Sequence, residues 1–202
     1  MTIIVAIDTE TTGLGLTGEP PRLDGVVEIG LAWRNRDGFI THWGMTCNPG
    51  AELLADGRAE GALRVNNIPL AEILAAPPVV EVAWVVYRLL QQIHGDLCTA
   101  AEEPVEMVAF NADFDRRFLA DRMWAGANLD LLTWHCAMKK TMEWMRVHRR
   151  VHLKDAALRL GLAPLAGLTA HRAAADAVTA LRVWYALAER GVPVSGVQIQ
   201  TA

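Results

Sequence analysis

Apolar and polar positions change rhythm several times along the chain, and each change marks an element. Residues 3–7 form a short β-branched run, which predicts a buried strand. Residues 25–35 and 38–47 read as two more strands joined by a turn at Arg36-Asp37-Gly38. The stretch 48–69 keeps no period and predicts loop with short helical turns. After Pro77-Pro78 comes VVEVAWVVYRLLQQIHG, long, continuous and closed by a glycine, which predicts a helix. A strand over 105–111 precedes a helix over 114–126, with Phe114, Phe118, Leu119 and Met123 on one side. Another strand is expected at 129–136, and helical patterns occupy most of the remainder to Arg190. Strands grouped early, then alternating with helices, predict one mixed-sheet α/β domain over residues 1–202.

Composition narrows the class. Apolar residues make up 52% and charged residues 21% of 202 positions, ordinary for a globular domain with a sizeable core. A net charge of −4 argues against a binder of the basic-patch type. Acidic metal ligands count as negative until cations arrive, however, so net charge does not exclude nucleic acid. Three cysteines (Cys47, Cys98, Cys136) without CxxC spacing predict no disulfide framework or zinc cluster, and favour a reducing cytoplasm. The opening MTIIVAIDTE lacks a basic leader, and no apolar run reaches the roughly 18–20 residues of a membrane span.

Two chemistries compete just after the first strand. Gly13-Leu14-Gly15-Leu16-Thr17-Gly18 fits G-x-G-x-x-G, the phosphate cradle of dinucleotide-binding folds. That cradle requires a helix opening at its third glycine. Here Gly18 is followed by Glu19-Pro20-Pro21 and then by a strand, so the context opposes a cradle. Asp8 and Glu10 offer the alternative. Residues two apart on a strand face the same way, with Thr9 on the opposite face. Two like charges so close either end a solvated strand or hold divalent cations.

Further acids weigh on that choice. NADFDRRFL places Asp113 and Asp115 where a strand enters a helix, and HRAAAD places His171 five residues before Asp176. Five helical residues turn through roughly 500°, so His171 must sit on the entering loop if both are to converge. IDTETTGL, NADFDRRFL and HRAAAD resemble, in order, the three motifs of the DEDDh (DnaQ-like) 3′–5′ exonucleases, at residues 7–14, 110–119 and 171–176. WHCAMKKTMEW, with its Cys-x-Met-Lys segment, further resembles the short members related to exodeoxyribonuclease X.

The resemblance implies a ribonuclease H-like fold, a five-stranded mixed sheet flanked by helices. It implies Asp8, Glu10, Asp115 and Asp176 as ligands of two Mg2+ ions, with Mn2+ able to substitute. Such ions, about 3.5–4 Å apart, would clamp an in-line phosphoryl displacement. His171 would take the proton of the attacking water, a task suited to the side chain that titrates nearest neutrality. Thr11, Thr12, Gly13, Leu14 and Asn111 would contact the terminal nucleotide, the leucine as a wedge. Asp113 holds the motif's variable position and is expected to be a solvated neighbour. Phe110 stands where family members often carry histidine.

The expected partner is a nucleic-acid 3′ end, DNA favoured, in repair or end processing; RNA trimming is the alternative. A non-catalytic nucleic-acid-binding adaptor would lack a ligand or the histidine, and all five are present. The cationic RVHRRVHLK, with His148 and His152, reads either as a guide for a nucleic-acid backbone or as a solvated face. Trp124, Trp134, Trp144 and Trp184 are expected to be core or groove lining rather than stacking platforms.

Overall fold

The protein is described from a computed structural model, which covers residues 2–17, 22–55, 57–97, 104–123, 132–169 and 171–196. Its centre is a sheet of five strands in the order β5-β4-β1-β6-β7. These are β1 (Ile3–Thr11), β4 (Val26–Arg34), β5 (Ile40–Thr46), β6 (Val105–Ala109) and β7 (Thr133–Cys136). The pairs β1–β4 and β4–β5 are antiparallel, whereas β1–β6 and β6–β7 are parallel. A separate two-stranded ribbon, β2 (Leu16–Thr17) and β3 (Arg22–Leu23), lies between β1 and β4 in sequence.

Period-two alternation sends β1 side chains to two cores. Ile3, Val5 and Ile7 pack with α4 (Val79–Leu97) and α5 (Ala112–Phe118), together with a π-helical turn at Leu119–Met123. Ile4 and Ala6 face α6 (Ala137–Met145), α7 (Leu153–Arg159) and α8 (Ala173–Glu189). Helix α8 approaches closely because it is lined with small residues. Ala173, Ala175, Ala177 and Ala180 are buried, and a side chain at Gly30 of β4 would run into the backbone of Ala173 and Ala174.

The sheet matches the expected five-stranded mixed architecture, with differences that have local causes. The first strand runs on through Asp8 and Glu10 to Thr11, because β4 pairs with it from Val5 to Thr11. The segment 48–69 is more helical than its composition suggests, with α1 (Ala51–Leu54) and α2 (Gly57–Asn66), followed by α3 (Leu70–Ala75). Tertiary anchors stabilise these turns: Ile68 and Ile73 close a small core over Val27, and Asn66 is buried. Helix α4 passes Gly95 and ends at Leu97. The predicted helix over 114–126 starts two residues earlier, at Ala112, and changes to π geometry at Leu119. Gly18, Pro20, Pro21, Cys98, Trp124 and the start of the expected strand at 129–136 lie outside the described residues.

Candidate active site

The end of β1 is where the ladder becomes asymmetric. Its parallel partner β6 is in register only as far as Ala6↔Val108, whereas β4 continues to pair with it beyond that point. The N–H of Thr9 therefore lies past the β6 ladder, and the chain leaving β6 supplies an acceptor for it. Asp115 Oδ1 receives the Thr9 N–H at 3.0 Å and the Thr9 hydroxyl at 2.8 Å. This pins Asp115, which is buried, over the strand end from the α5 side. Thr9 faces away from Asp8 and Glu10, as alternation requires, and serves as the tether.

Asp8 and Glu10 project towards α8. Their carboxylates and that of Asp176 offer oxygens that all lie within 4.8 Å of one another. The β1–β4 register shifts between Glu10 and Thr11, an irregularity of the kind that turns strand-end side chains toward a common point. His171 sits outside α8, on the entering turn, in the left-handed region at φ 59°. Its N–H and its imidazole both act on the Asp176 carboxylate, so the loop histidine and the helical aspartate do meet.

The electrostatics are those of crowded acids. Loss of hydration, then the charges of Asp115, Asp176, Glu10 and Glu28, hold the Asp8 carboxyl well above its ordinary range. Burial, then Asp176, Glu28 and Asp115, push Glu10 up to about 8, with Arg172 opposing. Burial raises Asp115 to about 7 although both Thr9 bonds pull it down. Asp176 is raised by burial and partly relieved by His171. An all-oxygen set of recessed, mutually repelling carboxylates fits hard divalent cations. Asp8, Glu10 and Asp176 would be the direct holders, with Asp115 approaching from the opposite face of the sheet.

The loop after Glu10 is a braced turn. Thr12 N–H donates to the Gly25 carbonyl at 2.8 Å, and Gly25 N–H returns to the Thr12 hydroxyl at 2.8 Å. Thr11 Oγ1 donates to the Gly13 carbonyl at 2.5 Å, and Asn66 of α2 donates to the Thr11 carbonyl at 3.0 Å. Asp24 accepts the Gly15 N–H at 3.0 Å. Its carboxylate lies where a Gly13 side chain would stand, which explains glycine there. Leu14 is left 88% exposed at the tip of this rigid turn. No helix follows the glycines among the described residues before β4, so the dinucleotide cradle is absent there. Asn111 is the N-terminal cap position of α5, and its side chain makes no capping bond.

Three residues at the site escaped sequence reasoning. Glu28 of β4, opposite Glu10 in the ladder, is buried and accepts the Ala173 N–H at 2.8 Å. Arg172 Nε donates to Glu28 at 2.8 Å, and Arg172 Nη2 donates to Glu72 of α3 at 2.7 Å. Arg117 Nη2 donates to the Leu14 carbonyl at 3.2 Å. Arg172 and Arg117 lie next to recognised motif residues, and Glu28 is an acid in an otherwise apolar strand; those were the available signals.

Other expectations sort readily. Asp113 is exposed and paired with Lys139 at 2.7 Å, outside the acidic cluster. Phe110 is buried in the core beneath α6. Trp184 is core, and Trp134 and Trp144 pack against the two cores, so these tryptophans read as structural. The cationic stretch forms the α6–α7 connection. There Trp144, Arg149, Arg150, His152 and Arg159 line a cleft of about 720 Å³. Cys47 and Cys136 are free thiols, and burial pushes Cys47 up to about 12. Among the described residues no helix is long and apolar enough to cross a membrane.

No protein-family model matches the chain, and no curated protein is close enough in sequence to count as a relative. Solved structures do match. Exonuclease X in complex with 5′ overhanging duplex DNA is similar at TM-score 0.57 and 22% identity, covering 93% of each chain. The nuclease domain of 3′hExo, a DEDDh family member bound to rAMP, matches at TM-score 0.69 and 14% identity, covering 94% of this chain and 93% of that one. E. coli Exonuclease I in complex with a dT13 oligonucleotide matches at TM-score 0.64 and 15% identity, over 95% of this chain and 42% of its own. The protein therefore has the ribonuclease H-like fold of the DEDDh 3′-exonucleases.

Proposed function

We propose that the chain, as one catalytic domain, is a metal-dependent 3′–5′ exonuclease that releases nucleoside 5′-monophosphates, with DNA as the favoured substrate. The observation that carries this reading is the convergence of Asp8, Glu10 and Asp176 oxygens within 4.8 Å, beside His171. Asp8, Glu10, Asp115 and Asp176 would hold two divalent cations, Mg2+ or Mn2+. When bound, these supply positive charge at the scissile phosphate and acidify the attacking water.

The protein's own groups do the rest. His171, held on an exposed turn beside Asp176 rather than in the helix, would take the water's proton. Thr11, Thr12, Gly13 and Asn111 line the approach of the terminal nucleotide, and exposed Leu14 meets its base. The stretch from Lys139 to Arg159 carries seven Lys and Arg against two acids in a chain of net charge −4. Such a basic segment suits the phosphate backbone behind the reacting end. DNA is favoured by the Cys-x-Met-Lys resemblance and by the likeness to Exonuclease X.

The test is time-resolved digestion of 5′-labelled single-stranded DNA, duplex DNA and RNA with Mg2+, Mn2+ or EDTA. A ladder shrinking from the 3′ side, silent in EDTA and fastest on DNA, is expected. Replacing His171 with alanine should slow it by about 10²–10⁴-fold, the usual worth of a general base. Equal digestion by wild type and that variant would overturn the mechanism.

A further inference from the structure

Helix α4 has two unlike faces. Val82, Ala83, Val86 and Ile93 are buried against the sheet. At 100° per residue, the opposite face presents Val80, Trp84 and Tyr87, flanked by Glu81 and Arg88. Val80 is 55% exposed, Trp84 64% and Tyr87 46%. The two rings are already locked edge to face at 5.9 Å, and Gln91 Nε2 donates to the Tyr87 hydroxyl at 3.1 Å. A preformed aromatic ridge in water is the composition of a protein interface core. The helix carries Glu81, Arg88 and Asp96 as its formal charges, no cationic excess, so a phosphate backbone is a poor occupant.

The charges select the occupant. We infer that this face joins two copies of the chain in an antiparallel, two-fold symmetric helix pair. A two-fold axis crossing between positions 84 and 85 sets position 81 opposite position 88. Glu81 and Arg88 lie on the same flank, each about 5 Å from that axis at 1.5 Å per residue. Glu81 then faces the partner's Arg88, and Arg88 faces the partner's Glu81. Trp84 lies beside the partner's Trp84 next to the axis, and Val80 lies within one helical turn of the partner's Tyr87. A parallel pairing would put the two copies' charged flanks on opposite sides of the seam and bring no such match. The interface is isologous, as a closed dimer requires.

Sedimentation equilibrium of the full chain tests this. The wild type should double in mass as concentration rises through the micromolar range. Trp84→Glu should remain folded by circular dichroism and stay monomeric. Glu81→Arg and Arg88→Glu each turn two attractive pairs into repulsive ones, and each should weaken the dimer by about tenfold at low salt. The double variant E81R/R88E restores opposite charges and should return within about threefold of wild type, a coupling that only direct partners show. A chain that stays monomeric, a dimer indifferent to Trp84→Glu, or a double variant no better than the singles would overturn the assignment.

Discussion

Arg172 Nε donates to the buried carboxylate of Glu28 at 2.8 Å, so the residue following His171 is clamped to the strand that pairs with the acid-bearing β1. The other Glu28 oxygen takes the Ala173 N–H at 2.8 Å, closing the first turn of α8. One carboxylate thus fixes both the histidine turn and the helix that carries Asp176. Arg172 extends the clamp to Glu72, whose carboxyl the Thr46 hydroxyl and then Arg172 hold below its usual value.

Replacing Glu28 with alanine strips both partners at once. Breaking a buried ion pair from one side costs about 3–5 kcal/mol, so a large fall in melting temperature is expected. Glutamine keeps the shape and an acceptor for Ala173 N–H. Glu28→Gln should therefore fold and bind ends with a near-normal KM while losing kcat. A variant that loses KM and kcat together would assign Glu28 to substrate binding instead.

Gly30 tests how closely α8 must sit. A methyl group there meets the backbone of Ala173 and Ala174, which has no flexible end to move aside. Gly30→Ala should shift the helix start and cost about 1–3 kcal/mol as overpacking. A displacement of about 1 Å at Asp176 is enough for roughly a hundredfold loss of rate. Activity and melting temperature measured on the same preparation check both halves.

The raised carboxyls make the metal-free protein sensitive to alkali. Glu10 at about 8 and Asp115 at about 7 hold protons in the folded state that the unfolded chain has already released above about pH 4 to 5. The folded state binds more protons across that window, so the site's contribution falls as pH rises from about 5 to 8. Scanning thermal melts in EDTA should show it. Mg2+ should stabilise most at pH 8 and little at pH 5, where protons occupy the oxygens. The paired variant D8N/E10Q should melt higher than wild type in EDTA at pH 8 and gain nothing from Mg2+. A metal increment that grows toward acid would contradict this.

Leu14 stands 88% exposed on a turn braced by Thr12, Asp24, Asn66 and Arg117. The proposed contact of this side chain with the terminal base can be tested by truncating it. Leu14→Ala should leave stability within about 0.5 kcal/mol, as for other surface changes. It should slow digestion of paired 3′ ends more than of single strands, read from the ratio of the two rates.

Much of this was legible in the residues. The period-two run at Ile3–Ile7, the strands around Arg36-Asp37-Gly38 and the helix after Pro77-Pro78 follow from local pattern. The pairing of Asp8 and Glu10 on one strand face follows too, by simple alternation, whereas the full set with Asp115, Asp176 and His171 came from the resemblance to the DEDDh exonucleases. Short helical turns were legible in 48–69 but the ten-residue α2 was not, since Asn66 and Ile68 are fixed by distant β1 and β4 rather than by local period. Glu28 looked like one acid in an apolar strand.

The sequence by itself therefore determined the order of elements and the identity of the acids and histidine, which are properties of short segments. Their meeting was decided by the tertiary structure. Asp115 reaches the strand end because β6 stops short and leaves Thr9 N–H to be satisfied. Asp176 and His171 arrive because Gly30 admits α8 and Glu28 caps it. Burial, repulsion and hydrogen-bond satisfaction act across more than a hundred residues of chain, where no local pattern carries them.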